Sequence, residues 1–244
     1  MSSTRRAWIP NQHGAWAMLI TPVLVGAAIG GPDAWHGLLL IAWLAAYCAH
    51  YFGGLALKSR RPSRYRWQLL AYGAVLTVSG MPLVIHAPRL LLLIPPALIA
   101  FAVNLAFIVQ RNERAWVNDA VGIVLAALVG IGAVSLGTTP TVTSRALLVL
   151  ACVAWYFMGT VVYVKTLIRE RGSAAWYRAS VLLHTAYVVI CAALGWWVLS
   201  AVSTGLLARA ALVPGHGWTP KRVGLLEIGW TLLVSCVAIA TIHG

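Results

Sequence analysis

Residues 35–66 read WHGLLLIAWLAAYCAHYFGGLALKSRRPSRYR, an apolar run that ends in a cluster of five cations. The run 35–57 contains no Asp, Glu, Lys or Arg, and about 20 apolar residues suffice to cross the hydrocarbon of a bilayer. Because no water is present there to bond the backbone, such a run must be helical. This stretch therefore predicts a transmembrane helix followed by a positively charged loop.

The rest of the chain has the same character. Hydrophobic residues make up 61% of its 244 residues and charged residues 9%, with a mean hydropathy of +0.84, whereas soluble domains carry about 25% charged residues. We predict one all-α domain, 1–244, a polytopic transmembrane helix bundle. Its nine predicted spans are 15–31, 35–57, 67–86, 90–110, 117–137, 145–167, 178–194, 196–213 and 223–243.

The stretch 178–213 is the ambiguous part of this prediction. It is one apolar stretch, too long for a single crossing, and we divide it into two spans at Gly195. Trp196 and Trp197 follow, and tryptophan suits the headgroup interface. The alternative is one long span and an interfacial helix, which would give eight spans.

Positive charge is unevenly distributed over the loops. Of the 18 Lys and Arg residues, fifteen lie in the N-terminal segment or in the loops after spans two, four, six and eight. Positively charged loops stay in the cytoplasm, so we predict a cytoplasmic N-terminus and an external C-terminus. The net charge of +13 is dispersed over short loops, which favours anionic lipid as a partner and not nucleic acid.

Polar residues inside the spans concentrate in the predicted cytoplasmic half. Ionisable groups in hydrocarbon are costly and usually face a cavity or a partner. We predict a polar cavity open to the cytoplasm, formed by Gln12, His13, His50, Asn104, Asp119, Lys165, His184 and Glu227. The alternative is that each of these side chains extends to the interface or bonds a neighbouring helix.

The end of span two carries the first cationic segment. His50, Gly54 and Lys58 are spaced by four residues and therefore share one face of a helix. Arg60 and Arg61 follow directly. The segment is interpreted either as part of an anion site or as a topology signal alone.

The end of span six carries the second cationic segment. Lys165 and Arg169 are four residues apart and can present two cations to one anion, since Arg binds phosphate as a fork and Lys as a point charge. At the start of span five, Asn118 or Asp119 is expected to cap the helix, and Glu113 is expected to pair with its neighbour Arg114.

Two stretches resemble a known family. Residues 10–18, PNQHGAWAM, are similar to the start of the YwiC-like family of bacterial integral membrane proteins, and residues 163–171, YVKTLIRER, are similar to a later part of it. The resemblance covers most of the chain. It implies a multi-pass protein of the bacterial cytoplasmic (inner) membrane and no particular activity.

A more distant resemblance is to the UbiA superfamily of intramembrane prenyltransferases. These enzymes have nine helices, and two Asp-rich motifs after helices two and six hold Mg²⁺ against a prenyl diphosphate. The corresponding segments here are 50–61 and 163–172, and Tyr163 and Lys165 are similar to a tyrosine and lysine that precede the second motif. The aspartates are missing, and Glu170 is the one acid nearby. The resemblance therefore implies a phosphate site without Mg²⁺, and we expect no metal ligands.

We therefore expect a UbiA-like protein that binds, or also transfers, a prenyl or other lipid phosphate in a cytoplasm-facing cavity. His50, His184 and Asp119 are the candidate catalytic acids and bases, because imidazole titrates near neutral pH. The candidate substrate-binding residues are Gln12, His13, Lys58, Arg60, Arg61, Asn104, Asn118, Tyr163, Lys165, Arg169 and Glu227.

Two other functions remain open from the sequence. A small-solute transporter is one, although no two matching Gly- or Pro-broken helices occur in the two halves. The other is a haem- or metal-binding membrane component, with His50 and His184 as axial ligands.

Overall fold

The structure, a computed structural model, describes residues 8–10 and 12–243, without the side chains of residues 13 and 243. These residues form nine α-helices and no strand, which confirms the all-α bundle. The helices are α1 His13–Gly30, α2 Ala34–Lys58, α3 Arg66–His86, α4 Ile94–Val109, α5 Trp116–Leu136, α6 Ser144–Ile168, α7 Ala174–Ala193, α8 Trp197–Leu212 and α9 Pro220–His243.

Each predicted span coincides with one of these helices, with two informative details. The fourth α-helix begins at Ile94 and not at residue 90, because a short 3₁₀ helix, Pro88–Leu93, precedes it. Pro95 and Pro96 then occupy its first turn, where a missing N–H breaks no helical bond. The boundary between α7 and α8 lies at Gly195, which adopts a left-handed φ of +74°, as the sequence predicted.

The two largest apolar clusters of the core share α1 and α5, and a small third cluster lies at one end of α6, α8 and α9. One cluster joins these two helices to α2, α3 and α4, and the other joins them to α6, α7, α8 and α9. Both halves of the protein are therefore built on the same central pair of helices.

Glycines allow that central pair to approach closely. A Cβ atom on Gly26 would overlap the carbonyl oxygen of Gly130, and one on Gly130 would lie 2.8 Å from the carbonyl oxygen of Pro22. Gly30 and Gly137 meet in the same way at the far end. We call Gly26, Gly30, Gly130 and Gly137 the glycine seam. Small residues of this kind typically bring helix backbones together in membranes.

Seven helices of the described part are long and apolar enough to cross a membrane, and α1 and α8 are apolar but shorter. The chain is therefore a multi-pass helical membrane protein. The count of nine crossings and the orientation stay predictions.

Labelling of introduced cysteines tests the orientation. In a background without the native cysteines, Arg61→Cys and Arg171→Cys should be shielded from an impermeant thiol reagent in intact cells, whereas Thr141→Cys should react. The positively charged loops that hold Arg61 and Arg171 are predicted to be cytoplasmic. Labelling at residue 171 without labelling at residue 61 would contradict the nine-span topology.

Candidate functional site

The turn between α4 and α5, residues 110–115, brings together the ends of three helices, because it follows α4 and contacts α2 and α6. Lys58, the last residue of α2, forms an ion pair with Glu113 of this turn. The ammonium of Lys165, near the end of α6, donates a hydrogen bond to the carbonyl oxygen of Arg114 at 2.9 Å. Arg111 reverses the chain with a left-handed φ of +55°. The C-terminal ends of α2, α4 and α6 therefore lie together.

Lys165 is the most buried cation of this region. Its ammonium lies 2.9 Å from a carboxylate oxygen of Asp119 and 5.5 Å from the centre of the Trp176 ring. The first turn of α5 supplies Asp119 and α7 supplies Trp176. A lysine is almost never buried without a partner, and here it has a carboxylate, a carbonyl and an aromatic face.

Asparagines complete this arrangement. Asn118 donates a side-chain hydrogen bond to the carbonyl oxygen of Glu113 at 2.8 Å, and Asn104 of α4 donates a long one, 3.4 Å, to the carbonyl oxygen of Asn118. The side-chain oxygen of Asn118 is buried and has no hydrogen-bond partner among the described residues. We call Lys58, Glu113, Asn118, Asp119 and Lys165 the lysine network.

The predicted stripe on α2 faces α4. The His50 ring lies 4.9 Å from that of Phe101, and a Cβ atom on Gly54 would lie 2.7 Å from the side chain of Ile108. The absent side chain of Gly54 thus makes room for α4, and the stripe leads from His50 to Lys58 at the lysine network.

Two local expectations were wrong. The residue that caps α5 is Ala115, and Asp119 lies within the first turn, where its carboxylate is held by Lys165. Glu113 pairs with Lys58 of a distant helix and not with Arg114, because the turn brings it against the end of α2. Both errors arise because a tertiary ion pair competes with the local contact.

The predicted arginines lie at the surface. Arg60, Arg61 and Arg169 are exposed, and none of them forms an ion pair with another described residue. Gln12 accepts a hydrogen bond from the Tyr47 hydroxyl at 2.9 Å. The side chain of His13 lies outside the described residues.

Two predicted site residues, Tyr163 and Glu227, belong to a second, separate cluster among α6, α8 and α9. Arg209 forms an ion pair with Glu227 and donates to the Thr160 hydroxyl at 3.3 Å. Its guanidinium carbon lies 4.5 Å from the centre of the Tyr163 ring. We call Thr160, Tyr163, Arg209 and Glu227 the arginine network. It holds Tyr163 and Glu227 away from the lysine network, since Tyr163 and Lys165 point to different sides of α6.

His184 borders the arginine network. Its Nδ1 donates to the carbonyl oxygen of Ser180 at 2.7 Å, and its Nε2 has no hydrogen-bond partner among the described residues. The ring packs on Gly159 of α6, whereas His50 faces α4. The two histidines proposed as axial ligands therefore face different helices.

Glu113 and Arg209 form ion pairs in the structure but were not among the predicted site residues. Arg209 had a visible signal, because an arginine inside an apolar span needs a partner, and Glu227 was available in the next span. Glu113 had none, since its partner Lys58 is 55 residues away.

Comparison with known proteins identifies the family of the chain. No solved structure matches it, so the resemblance to UbiA stays a prediction. Residues 9–134 match the model of the YwiC-like protein family. The chain is 35% identical over 225 residues to the uncharacterised protein YwiC of Bacillus subtilis (strain 168). It is 29% identical over 223 residues to an uncharacterised protein of Haemophilus influenzae. Each alignment covers 91% of this chain and 93% of the relative. The chain therefore belongs to the YwiC-like family.

Proposed function

We propose that the lysine network, with the exposed arginines beside it, binds the phosphate group of an amphiphilic lipid such as a prenyl phosphate. The observation that carries this proposal is the buried ammonium of Lys165, which lies where α5, α6 and α7 meet. An ionisable group inside apolar helices marks a binding site or a pathway by default. Lysine binds phosphate as a compact point charge.

The arginines extend the positive charge toward the surface. Arg60 and Arg61 follow α2, and Arg169 follows α6. Because the ends of α2 and α6 both contact the turn 110–115, these guanidinium groups border the same end of the bundle. Arginine can form two parallel hydrogen bonds to phosphate oxygens, which suits a headgroup that arrives from the membrane surface.

The apolar tail of the lipid would lie along α4. Leu98, Leu105 and Val109 are exposed on this helix, and in a membrane such side chains contact lipid. Asn104 belongs to the same helix and contacts the lysine network. A headgroup at the network and a tail on α4 therefore fit one amphiphile.

Lysine and arginine side chains supply the positive charge in this proposal. Within the described residues, no three His, Cys, Asp or Glu side chains are grouped so that they could hold a metal ion. We therefore propose that the phosphate is neutralised by lysine and arginine without Mg²⁺. If the bound lipid also reacts, Asp119 is the candidate acid or base that lies at the phosphate.

Substitution of Arg169 by lysine tests the site. We expect Arg169→Lys to weaken binding of dodecyl phosphate to the purified protein by about tenfold. Hydrogen bonds to charged groups contribute about 1.5–3 kcal/mol, and a lysine cannot reproduce the arginine fork. Isothermal titration calorimetry in a neutral detergent, with and without EDTA, measures the affinity.

Arg145→Lys is the matched control, because Arg145 is exposed at the opposite end of α6; it should bind like the wild type. Unchanged affinity in Arg169→Lys would remove this residue from the site. Failure of the wild type to bind dodecyl phosphate would overturn the proposed function. Binding that EDTA abolishes and Mg²⁺ restores would reveal a metal site.

A further inference from the structure

Each lysine of the lysine network already has an anionic partner. Lys58 is paired with Glu113, and Lys165 with Asp119. Both ammonium groups are therefore neutralised before any ligand arrives. A phosphate that binds these lysines must compete with two carboxylates for the same N–H donors.

The two pairs differ in how easily a ligand can replace the carboxylate. Glu113 belongs to a turn and its side chain is 36% exposed, and Asp119 is 33% exposed. The difference lies in the lysines, since the side chain of Lys58 is 27% exposed and that of Lys165 only 8%. A buried charge that loses its partner destabilises a protein strongly. Lys165 can therefore release Asp119 only when another anion takes its place.

The number of negative charges displaced from the lysines determines how many the ligand must carry. When two carboxylates leave, two negative charges must replace them to keep the two lysine ammonium groups neutralised. A phosphate monoester carries about −1.5 to −2 at pH 7. A phosphodiester, the headgroup linkage of ordinary phospholipids and of nucleic acids, carries one negative charge per phosphate. The monoester fits this exchange and the diester does not.

We propose that Glu113 and Asp119 are internal counterions that a phosphate monoester displaces, and that the turn 110–115 opens when Glu113 leaves Lys58. This inference rests on the proposed function and adds to it the charge class of the ligand and the element that moves. The Glu113 side chain is suited to this movement, because it is 36% exposed and forms one ion pair; the turn opens fully only when the hydrogen bonds from Asn118 and Lys165 to its carbonyl oxygens also break. Glu113 thus selects against lipids whose phosphate carries a single charge.

Two probes with the same dodecyl tail but different phosphate charge test which charge class of ligand the site binds. The wild type in neutral detergent should bind dodecyl phosphate at least about tenfold more tightly than its methyl ester, a monoanionic diester. Glu113→Gln should raise the affinity for the diester by about fivefold or more, since Lys58 then lacks a carboxylate. The preference for the monoester over the diester should therefore become smaller. Glu170→Gln is the control, because Glu170 forms no ion pair with any described residue.

Opening of the turn can be measured in the same protein. Spin labels on Asn112→Cys in the turn and on Ser63→Cys after α2, in a background without native cysteines, should move apart when dodecyl phosphate is added. Both positions are exposed, so the labels should not disturb the core.

The outcomes separate the two proposals. If neither probe binds, the proposed function and this inference both fail. If the two probes bind equally well, or if Glu113→Gln leaves the preference unchanged, the inference fails and the proposed function stands. An unchanged distance between the spin labels on binding would overturn the opening of the turn.

Discussion

Replacement of Arg209 by methionine should cause the largest loss of stability of any single substitution considered for this protein. The change would leave the carboxylate of Glu227, which lies among α6, α8 and α9, without its ion-pair partner. Removal of one partner from a buried ion pair costs about 3–5 kcal/mol. We expect a clearly lower melting temperature of the purified protein and a lower yield from membranes.

The double variant Arg209→Met, Glu227→Met should recover most of that stability, because apolar residues of similar size can replace a buried pair. Arg178→Met is the matched single control, since Arg178 is exposed on α7 and forms no ion pair within the described residues. A melting temperature of Arg209→Met equal to that of the wild type would show that the arginine network is not a structural ion pair.

Substitution of Gly26 by alanine should give the second largest effect. The added Cβ atom would overlap the carbonyl oxygen of Gly130 and lie 2.9 Å from the Cβ atom of Ala133, so α1 and α5 must separate. Overpacking of this kind costs about 1–3 kcal/mol. Because both apolar clusters depend on this pair of helices, one melting transition should shift to lower temperature.

Gly122→Ala provides the control in the same pair of helices. Nothing lies within 4 Å of a Cβ atom at this position of α5, and alanine is favoured over glycine in a helix by about 1 kcal/mol. We expect this variant to be as stable as the wild type or slightly more stable. If the two alanine variants melt alike, close packing at the glycine seam does not limit stability.

Helix positions could be predicted from the sequence because their cause is local. An apolar run bounded by charge, Gly or Pro must form a helix in a bilayer. Gly195 was predicted to be a turn, and its left-handed conformation confirms this. The predicted span 90–110 corresponds to the apolar segment Pro88–Val109, and hydropathy alone does not show that this segment begins as a 3₁₀ helix. The glycine seam joins helices that are about 100 residues apart, and nothing local indicates that contact.

The lysine network was predictable only in part. The spacing of His50, Gly54 and Lys58 predicted a shared face, and the structure places all three toward α4 and its following turn. The assignment of acids to cations was not predictable, because it depends on which helices are neighbours. Glu113 pairs across the bundle, and Glu227 pairs with Arg209, which the sequence had left without a role.

The position of the glycine seam in the chain bears on the order of assembly. Both helices of the seam precede residue 138, and synthesis supplies the N-terminal part of a chain first. The ribosome therefore delivers α1 and α5 before any part of α6 exists. The first half of the chain can close around its own central pair, and each later helix meets a surface that is already formed. A chain that ends after α5 would contain every helix of one apolar cluster. The C-terminal half alone would lack α1 and α5, two helices of the other cluster.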